Sequence, residues 1–133
     1  MPDAAPAPLP ARRVIERDRL ALRPFDRYGK AQPGVWWHPI TDNRETGEAT
    51  YYSRYEPGAA SSPHEHPMVE EFLVVEGEFV DHDGRVFKAG DFVSYQPGTK
   101  HWSHSPKGCL LLVFLRCLNR PLVGAETVDA FTD

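Results

Sequence analysis

From residue 35 onward, glycine and proline interrupt this chain at intervals too short for helices. Pro57-Gly58, Asp83-Gly84, Ala89-Gly90, Pro97-Gly98 and Pro106-Lys107-Gly108 each separate apolar or alternating runs, and such pairs are turn formers because proline fixes φ and glycine tolerates φ > 0. The segments between them read as strands: 35–40, rich in aromatics; 49–55; 70–76, with a bend at Gly77 into 78–82; 85–88; 91–95; and 109–118. In 49–55, Thr50, Tyr52 and Arg54 take one face and Tyr51, Ser53 and Tyr55 the other. Residues 41–47 carry Thr, Asp, Asn and Gly and read as a turn. Asp83-Gly84 predicts a two-residue hairpin. The continuously apolar 109–118 reads as a strand covered on both faces. Residues 12–22 fit either a short helix or an early strand. Many short strands joined by tight turns make an all-β sandwich or barrel of antiparallel strands.

With 133 residues, the chain is long enough for one core. We expect a disordered Ala/Pro-rich tail at 1–10 and a single domain at 11–133. A formal charge of −4 offers no electrostatic footprint for nucleic acid or an anionic membrane. The longest apolar run, 109–115, is too short to span a bilayer, and no secretory leader is visible. Cys109 and Cys117 are eight residues apart. Extended chain separates them by roughly 26 Å, which forbids a mutual disulfide. Two buried thiols suit a cytoplasmic protein.

Chemistry concentrates at His64-Glu65-His66. Two histidines at i and i+2 in extended chain share a face, and Pro63 and Pro67 favour extended backbone around them. Glu70 follows after a short connection, and His101 follows the Pro97-Gly98 turn. Antiparallel closure brings Glu70 and His101 back to the pair. Three imidazoles and a carboxylate suit one divalent metal ion per chain, of Zn, Fe, Mn or Ni type. Alternation lets only one of Glu70 and Glu71 face the interior. Four protein ligands either close a tetrahedral zinc site or leave positions open on an octahedral ion. His104 reads as a neighbour of the site or a surface residue, and His38 and His82 have no motif around them.

These motifs resemble the cupins. The first cupin pattern, G-x5-H-x-H-x3-4-E-x6-G, is met by Gly58, His64, His66, Glu70 and Gly77. The spacing to Gly77 favours Glu70 over Glu71. The second, G-x5-P-x-G-x2-H-x3-N, is met by Gly90, Gly98 and His101, with Gln96 in place of the first proline and Ser105 in place of asparagine. Within the cupins the chain is similar to the ChrR-type family, through His64-Glu-His-Pro, Glu70-Glu-Phe-Leu-Val-Val-Glu-Gly, Pro97-Gly-Thr-Lys-His and Gly108-Cys-Leu. The likeness covers about 35–118. It implies an antiparallel jelly-roll β-barrel, frequently dimeric, with a divalent metal held by His64, His66, Glu70 and His101. In the name-giving anti-sigma factor the corresponding domain carries zinc.

Trp37, Tyr52, Phe72, Tyr95 and Trp102 are candidates to line a pocket. Arg116 is a candidate to anchor an anionic substrate or to emerge at the barrel mouth. The expected function is a small metal-binding cupin, acting as a metal-dependent dioxygenase, isomerase or lyase on a small organic substrate. The alternative is a non-catalytic zinc-binding sensor or regulatory module; a complete anti-sigma factor is disfavoured because no N-terminal His/Cys zinc cluster is present. A homodimer is the expected assembly.

Overall fold

The computed structural model describes residues 11–123. The tail expected at 1–10 lies outside the described residues. A 3-10 turn at Arg17–Arg19 precedes twelve strands: β1 (Arg23–Pro24), β2 (Val35–Asp42), β3 (Ala49–Tyr55), β4 (Ala59–Ala60), β5 (His64–Glu65), β6 (Glu70–Asp81), β7 (Val86–Lys88), β8 (Phe92–Tyr95), β9 (Lys100–His101), β10 (Ser103–Ser105), β11 (Cys109–Leu115) and β12 (Arg120–Pro121). No helix among the described residues is long and apolar enough to cross a membrane.

Every strand pairing is antiparallel. One sheet runs β1-β2-β3-β11-β6-β10-β4, with β7 and β8 also on β6, and a small sheet runs β12-β5-β9. This is the all-β antiparallel architecture that the turn pattern predicts, in the jelly-roll form that the resemblance implies. Strict alternation in β3 sends Tyr51, Ser53 and Tyr55 inward and leaves Tyr52 and Arg54 on the outer face. Trp37, Phe72, Val35 and Val74 are almost wholly buried. Phe25 meets Trp37 edge-on with ring centres 5.2 Å apart, and Trp37 meets Tyr51 edge-on at 5.4 Å, an arrangement that aromatic quadrupoles favour.

β6 is one continuous strand rather than two strands meeting at a bend. Against β11, Leu111 pairs with Val74 but Leu110 pairs with Glu76, so Val75 is an extra residue, a β-bulge. A bulge shifts the phase of alternation. Glu70, Phe72 and Val74 face inward before it, and odd-numbered Phe79 is buried after it. Gly77 sits just beyond, at φ +77°; a Cβ there would lie 2.2 Å from the Gly108 carbonyl oxygen, so only glycine fits.

Other boundaries moved for local reasons. β2 runs to Asp42 through an irregularity between Pro39 and Thr41. The turn after it is set by Asn43, whose Oδ1 accepts from the N–H groups of Glu45 and Thr46. The hairpin at Asp83-Gly84 has three loop residues, not two: Asp81 N–H donates to the Arg85 carbonyl, and Gly84, at φ +92°, closes the turn onto the Asp81 carbonyl. β11 stops at Leu115. Leu110 is fully buried, but Leu112 and Phe114 on its face are only half-buried, so the outer cover is partial. Cys109 and Cys117 form no disulfide among the described residues; the first is buried and the second half-buried.

Candidate metal centre

His64 lies on β5 and His66 one residue past its end. His101 lies on β9, directly opposite His64 in the ladder. The Pro97-Gly98 turn fixes this meeting. Thr99 N–H donates to the Gln96 carbonyl, with Pro97 and Gly98 (φ +91°) as the central residues, the pattern of a type II turn. The same turn clamps His66: Gly98 N–H donates to the His66 carbonyl at 2.8 Å, and His66 N–H donates to the Thr99 carbonyl at 2.9 Å. Gln96 in place of a proline therefore does not disturb the turn, because Pro97 already fills its first corner. Ser105, standing where the cupin pattern has asparagine, is fully buried and donates through Oγ to the Glu78 carbonyl, tying β10 to β6.

The three imidazoles converge through their Nε2 atoms. His64 Nε2 is 3.0 Å from His66 Nε2 and 3.1 Å from His101 Nε2. His66 is wholly buried and His101 nearly so. The ligand atoms that lie within 4.8 Å of one another belong to His64, His66 and His101; Glu70 stands beside this group and not in it, its Oε1 3.3 Å from His66 Nε2. Alternation sends Glu71 to the outer face, where it pairs with Arg116 and accepts from Ser94 Oγ.

Proton positions follow from the partners. His64 Nδ1 is 2.6 Å from the Ser62 carbonyl oxygen, which can only accept, so Nδ1 carries the hydrogen. His101 Nδ1 is 2.9 Å from Asp81 Oδ1, and a carboxylate also only accepts. Both Nε2 atoms then present lone pairs to each other across 3.1 Å. A cation shared by the two rings would relieve that repulsion. A proton is a poor candidate: burial, then the neighbouring His101 imidazole, lower the His64 pKa to about 4. Burial, then His64 and His101, lower that of His66 to about 2. A divalent metal ion fits this donor set, since neutral imidazole is the form that ligates.

Two residues around the triad carry no motif signal. Asp81 accepts from His101 Nδ1, from the Tyr95 hydroxyl at 2.9 Å to each of its oxygens, and from Ser103 Oγ. Burial alone would raise its pKa. The hydrogen bonds from His101, Ser103 and Tyr95 outweigh that, and hold it below the ordinary carboxylate value. Asp81 thereby fixes the His101 tautomer that leaves Nε2 available, as carboxylates commonly do for ligating histidines. Asn119, after β11, donates from Nδ2 to Glu70 Oε1 at 2.9 Å. Burial raises the Glu70 pKa, and the Asn119 bond works against that rise. His66 Nδ1 is buried and has no partner among the described residues; its ring is held by packing on Tyr95, 4.8 Å between centres.

A cavity of about 270 Å³ adjoins the triad. Of the residues expected around a pocket, Phe72 and Tyr95 line it together with His64, Glu70 and His101. Trp37, Tyr52, Trp102 and Arg116 do not. Phe25 and Tyr51 pack against Trp37 and line the cavity in its stead. Tyr52 is on the outer face. Trp102 stacks on His82 at 6.2 Å. Arg116 reaches Glu71 and the Val69 carbonyl on the outside. His38 accepts from Ala21 N–H, and His104 is half-buried in β10.

A profile of the ChrR cupin-like domain matches residues 21–119. No curated protein sequence matches the chain. Among solved structures, an acetylacetone dioxygenase from Acinetobacter johnsonii superposes with TM-score 0.73 at 15% identity, over 93% of this chain and 87% of that one. The polyketide cyclase RemF from Streptomyces resistomycificus gives TM-score 0.64 at 16% identity, over 88% and 89%. The complex of Rhodobacter sphaeroides SigE with the anti-sigma ChrR gives TM-score 0.60 at 20% identity, over 75% of this chain and 50% of the matched one. At these identities the likeness establishes the fold alone.

Proposed function

This chain belongs to the ChrR cupin-like family, and from that premise we propose that it is a metal-binding cupin acting on a small organic substrate, with dioxygenation as the favoured reaction. The observation that carries the metal reading is the meeting of three imidazoles whose ligand atoms lie within 4.8 Å of one another, with His64 Nε2 3.0 Å from His66 Nε2 and 3.1 Å from His101 Nε2. His64, His66, His101 and Glu70 would hold one ion of Zn, Fe, Mn or Ni type. Bound there, such an ion supplies Lewis acidity and, if redox-active, a route for dioxygen chemistry.

The chain's own residues define the rest. Asp81 keeps the proton on His101 Nδ1 and Ser62 keeps it on His64 Nδ1. Asn119 orients Glu70. Phe72, Tyr95 and the neighbouring aromatics give the adjoining cavity apolar walls. That cavity supports a small-molecule role. Dioxygenation is favoured over isomerase or lyase chemistry by the similarity to an acetylacetone dioxygenase structure.

The second reading, a zinc-binding sensor, is favoured by the similarity to the anti-sigma ChrR structure. One pair of measurements separates the two. Elemental analysis of protein purified without added metal reports the ion, and oxygen uptake over a panel of β-diketones and phenols reports catalysis. Uptake that requires Fe²⁺ and vanishes in His101→Ala with the fold intact establishes the enzyme. Stoichiometric zinc that resists chelation, with no uptake, establishes the sensor.

The two free thiols fit a cytoplasmic setting. A homodimer is supported by the outer row of Phe92, Leu73, Leu112 and Tyr52, which are directly paired across β8, β6, β11 and β3, with Phe92 57% exposed. Light scattering at micromolar concentration checks it.

A further inference from the structure

Buried hydroxyls line the cavity beside the triad, and most are spent within the protein. Tyr95 and Ser103 both donate to Asp81. β3 contributes Tyr51, Ser53 and Tyr55 at alternate positions on its inner face. Tyr55 has Ser61 as the partner of its hydroxyl. Tyr51 and Ser53 are 6% and 3% exposed, and neither hydroxyl has a hydrogen-bond partner among the described residues. Their oxygens are not sealed off. The sealed side-chain atoms without a partner are Gln32 Oε1, Trp37 Nε1, His66 Nδ1 and His104 Nδ1; the two β3 hydroxyls are not among them and open onto the cavity that their residues line.

The strand neighbours explain the missing partners. In the ladder Tyr51 stands between Pro39 and Val113, and Ser53 between Trp37 and Leu111. None of these side chains carries an acceptor. A buried hydroxyl that donates to nothing is unfavourable unless a ligand or a water accepts from it. The Tyr51 ring is held in place, 5.7 Å from Phe25 and edge-on to Trp37 at 5.4 Å. Burial, then Glu70, raise its pKa well above the ordinary value, so it stays a donor.

Charge narrows what could accept. Among the described residues no buried lysine or arginine lines the cavity, whereas the buried acid Glu70 does. An anion set against β3 would lack a cation. The volume of about 270 Å³ compares with the roughly 150 Å³ that accommodates benzene in an apolar protein cavity, so a substituted ring fits. Resting on the small-molecule reading above, we propose that Tyr51 determines ligand specificity, with Ser53 as a second donor: the cavity takes an uncharged ring compound whose carbonyl oxygen accepts from this β3 hydroxyl row. A site built to donate disfavours the analogue that lacks the acceptor, because its own buried group is then left unpaired.

The test is a titration of the full chain, followed by amide NMR shifts, with acetophenone, ethylbenzene and benzoate. Ethylbenzene keeps the shape of acetophenone and lacks its oxygen. Protein stripped with chelator is used first, where a carbonyl has no metal to bind, and Zn²⁺-loaded protein second. The quantity read is the affinity of acetophenone relative to ethylbenzene. Tyr51→Phe should lower that ratio about three- to tenfold, the loss of one net hydrogen bond, and adding Ser53→Ala should lower it further. Each substitution deletes a single oxygen, and a melting curve verifies that the fold persists. Benzoate should bind more weakly than acetophenone to stripped protein. A ratio unchanged in Tyr51→Phe overturns the proposal while leaving the cavity reading intact, and a ratio that Ser53→Ala does not move overturns the part assigned to Ser53. Benzoate binding as tightly as acetophenone overturns the uncharged assignment. No binding of any probe at millimolar concentration overturns both this proposal and the small-molecule reading. A Tyr51-dependent ratio in stripped protein upholds the proposal even if the metal reading fails.

Discussion

The two faces of the main sheet hold the same residue types in opposite states. Glu70 and Glu71 are adjacent on β6. Glu70 is buried, beside His66 and Asn119, with its pKa raised by burial. Glu71 points outward into an exposed pair with Arg116. Phe72 is packed inside against Phe79 and Phe87, whereas Phe92 on the outer face is 57% exposed. The difference teaches that alternation assigns chemistry by parity, and that the inner face combines burial with converging donors while the outer face carries screened ion pairs.

The largest effects should follow from breaking the inner face at its donors. His64→Ala or His66→Ala should abolish stoichiometric metal and lower the melting temperature of metal-loaded protein, because a ligand that binds only the native state stabilises by mass action. Elemental analysis and calorimetry check both; a full metal complement with an unchanged melting curve would refute the site. Phe72→Ala should cost about 3–5 kcal/mol in denaturant unfolding, since it removes a buried aromatic beside a cavity, whereas Phe92→Ala should cost less than about 1 kcal/mol.

Asp81→Asn keeps an acceptor for His101 but removes the charge. Its metal affinity, read by chelator competition, should fall about 10- to 100-fold, and the Co²⁺ absorption spectrum should shift because the ligand geometry relaxes. An unchanged affinity would make Asp81 merely structural.

Acid should act in a defined window on the metal-free protein. His64, near 6.5 when unfolded, is held at about 4 in the fold, and His66 at about 2. Below pH 6.5 the unfolded chain takes up protons that the folded rings refuse. Their contribution is complete above pH 6.5 and is lost as pH falls toward 4 and below. Denaturant midpoints at pH 7.5 and 5 should differ in that direction. Smallest of all, Glu71→Gln should change stability by about 0–1 kcal/mol, with the effect fading in high salt.

Much of the inner face was legible before any coordinates. The i, i+2 histidines and the turn at Pro97-Gly98 depend on local geometry, and the choice of Glu70 over Glu71 came from the resemblance to the cupin pattern. Asp81 was not legible. It is eleven residues from Glu70, an odd separation that simple alternation assigns to the opposite face. The bulge at Val75 inserts the extra residue that brings it back. Asn119 was equally hidden, because it reaches Glu70 from a segment 49 residues away. Trp37 and Tyr52 show a related limit. Alternation separates the faces of a strand but does not say which face is inner or which aromatic another side chain covers; Phe25 and Tyr51 lie between Trp37 and the bore.

The sequence by itself determined the β architecture, through turn residues whose backbone preferences hold in any context, and the identity of the converging imidazoles, through a spacing that extended chain converts into a shared face. Only the tertiary structure decided which groups steady those imidazoles, where the cavity lies and which side chains line it. Those outcomes depend on register, on one bulged residue and on contacts between segments far apart in the chain, and none of these is encoded in a local pattern.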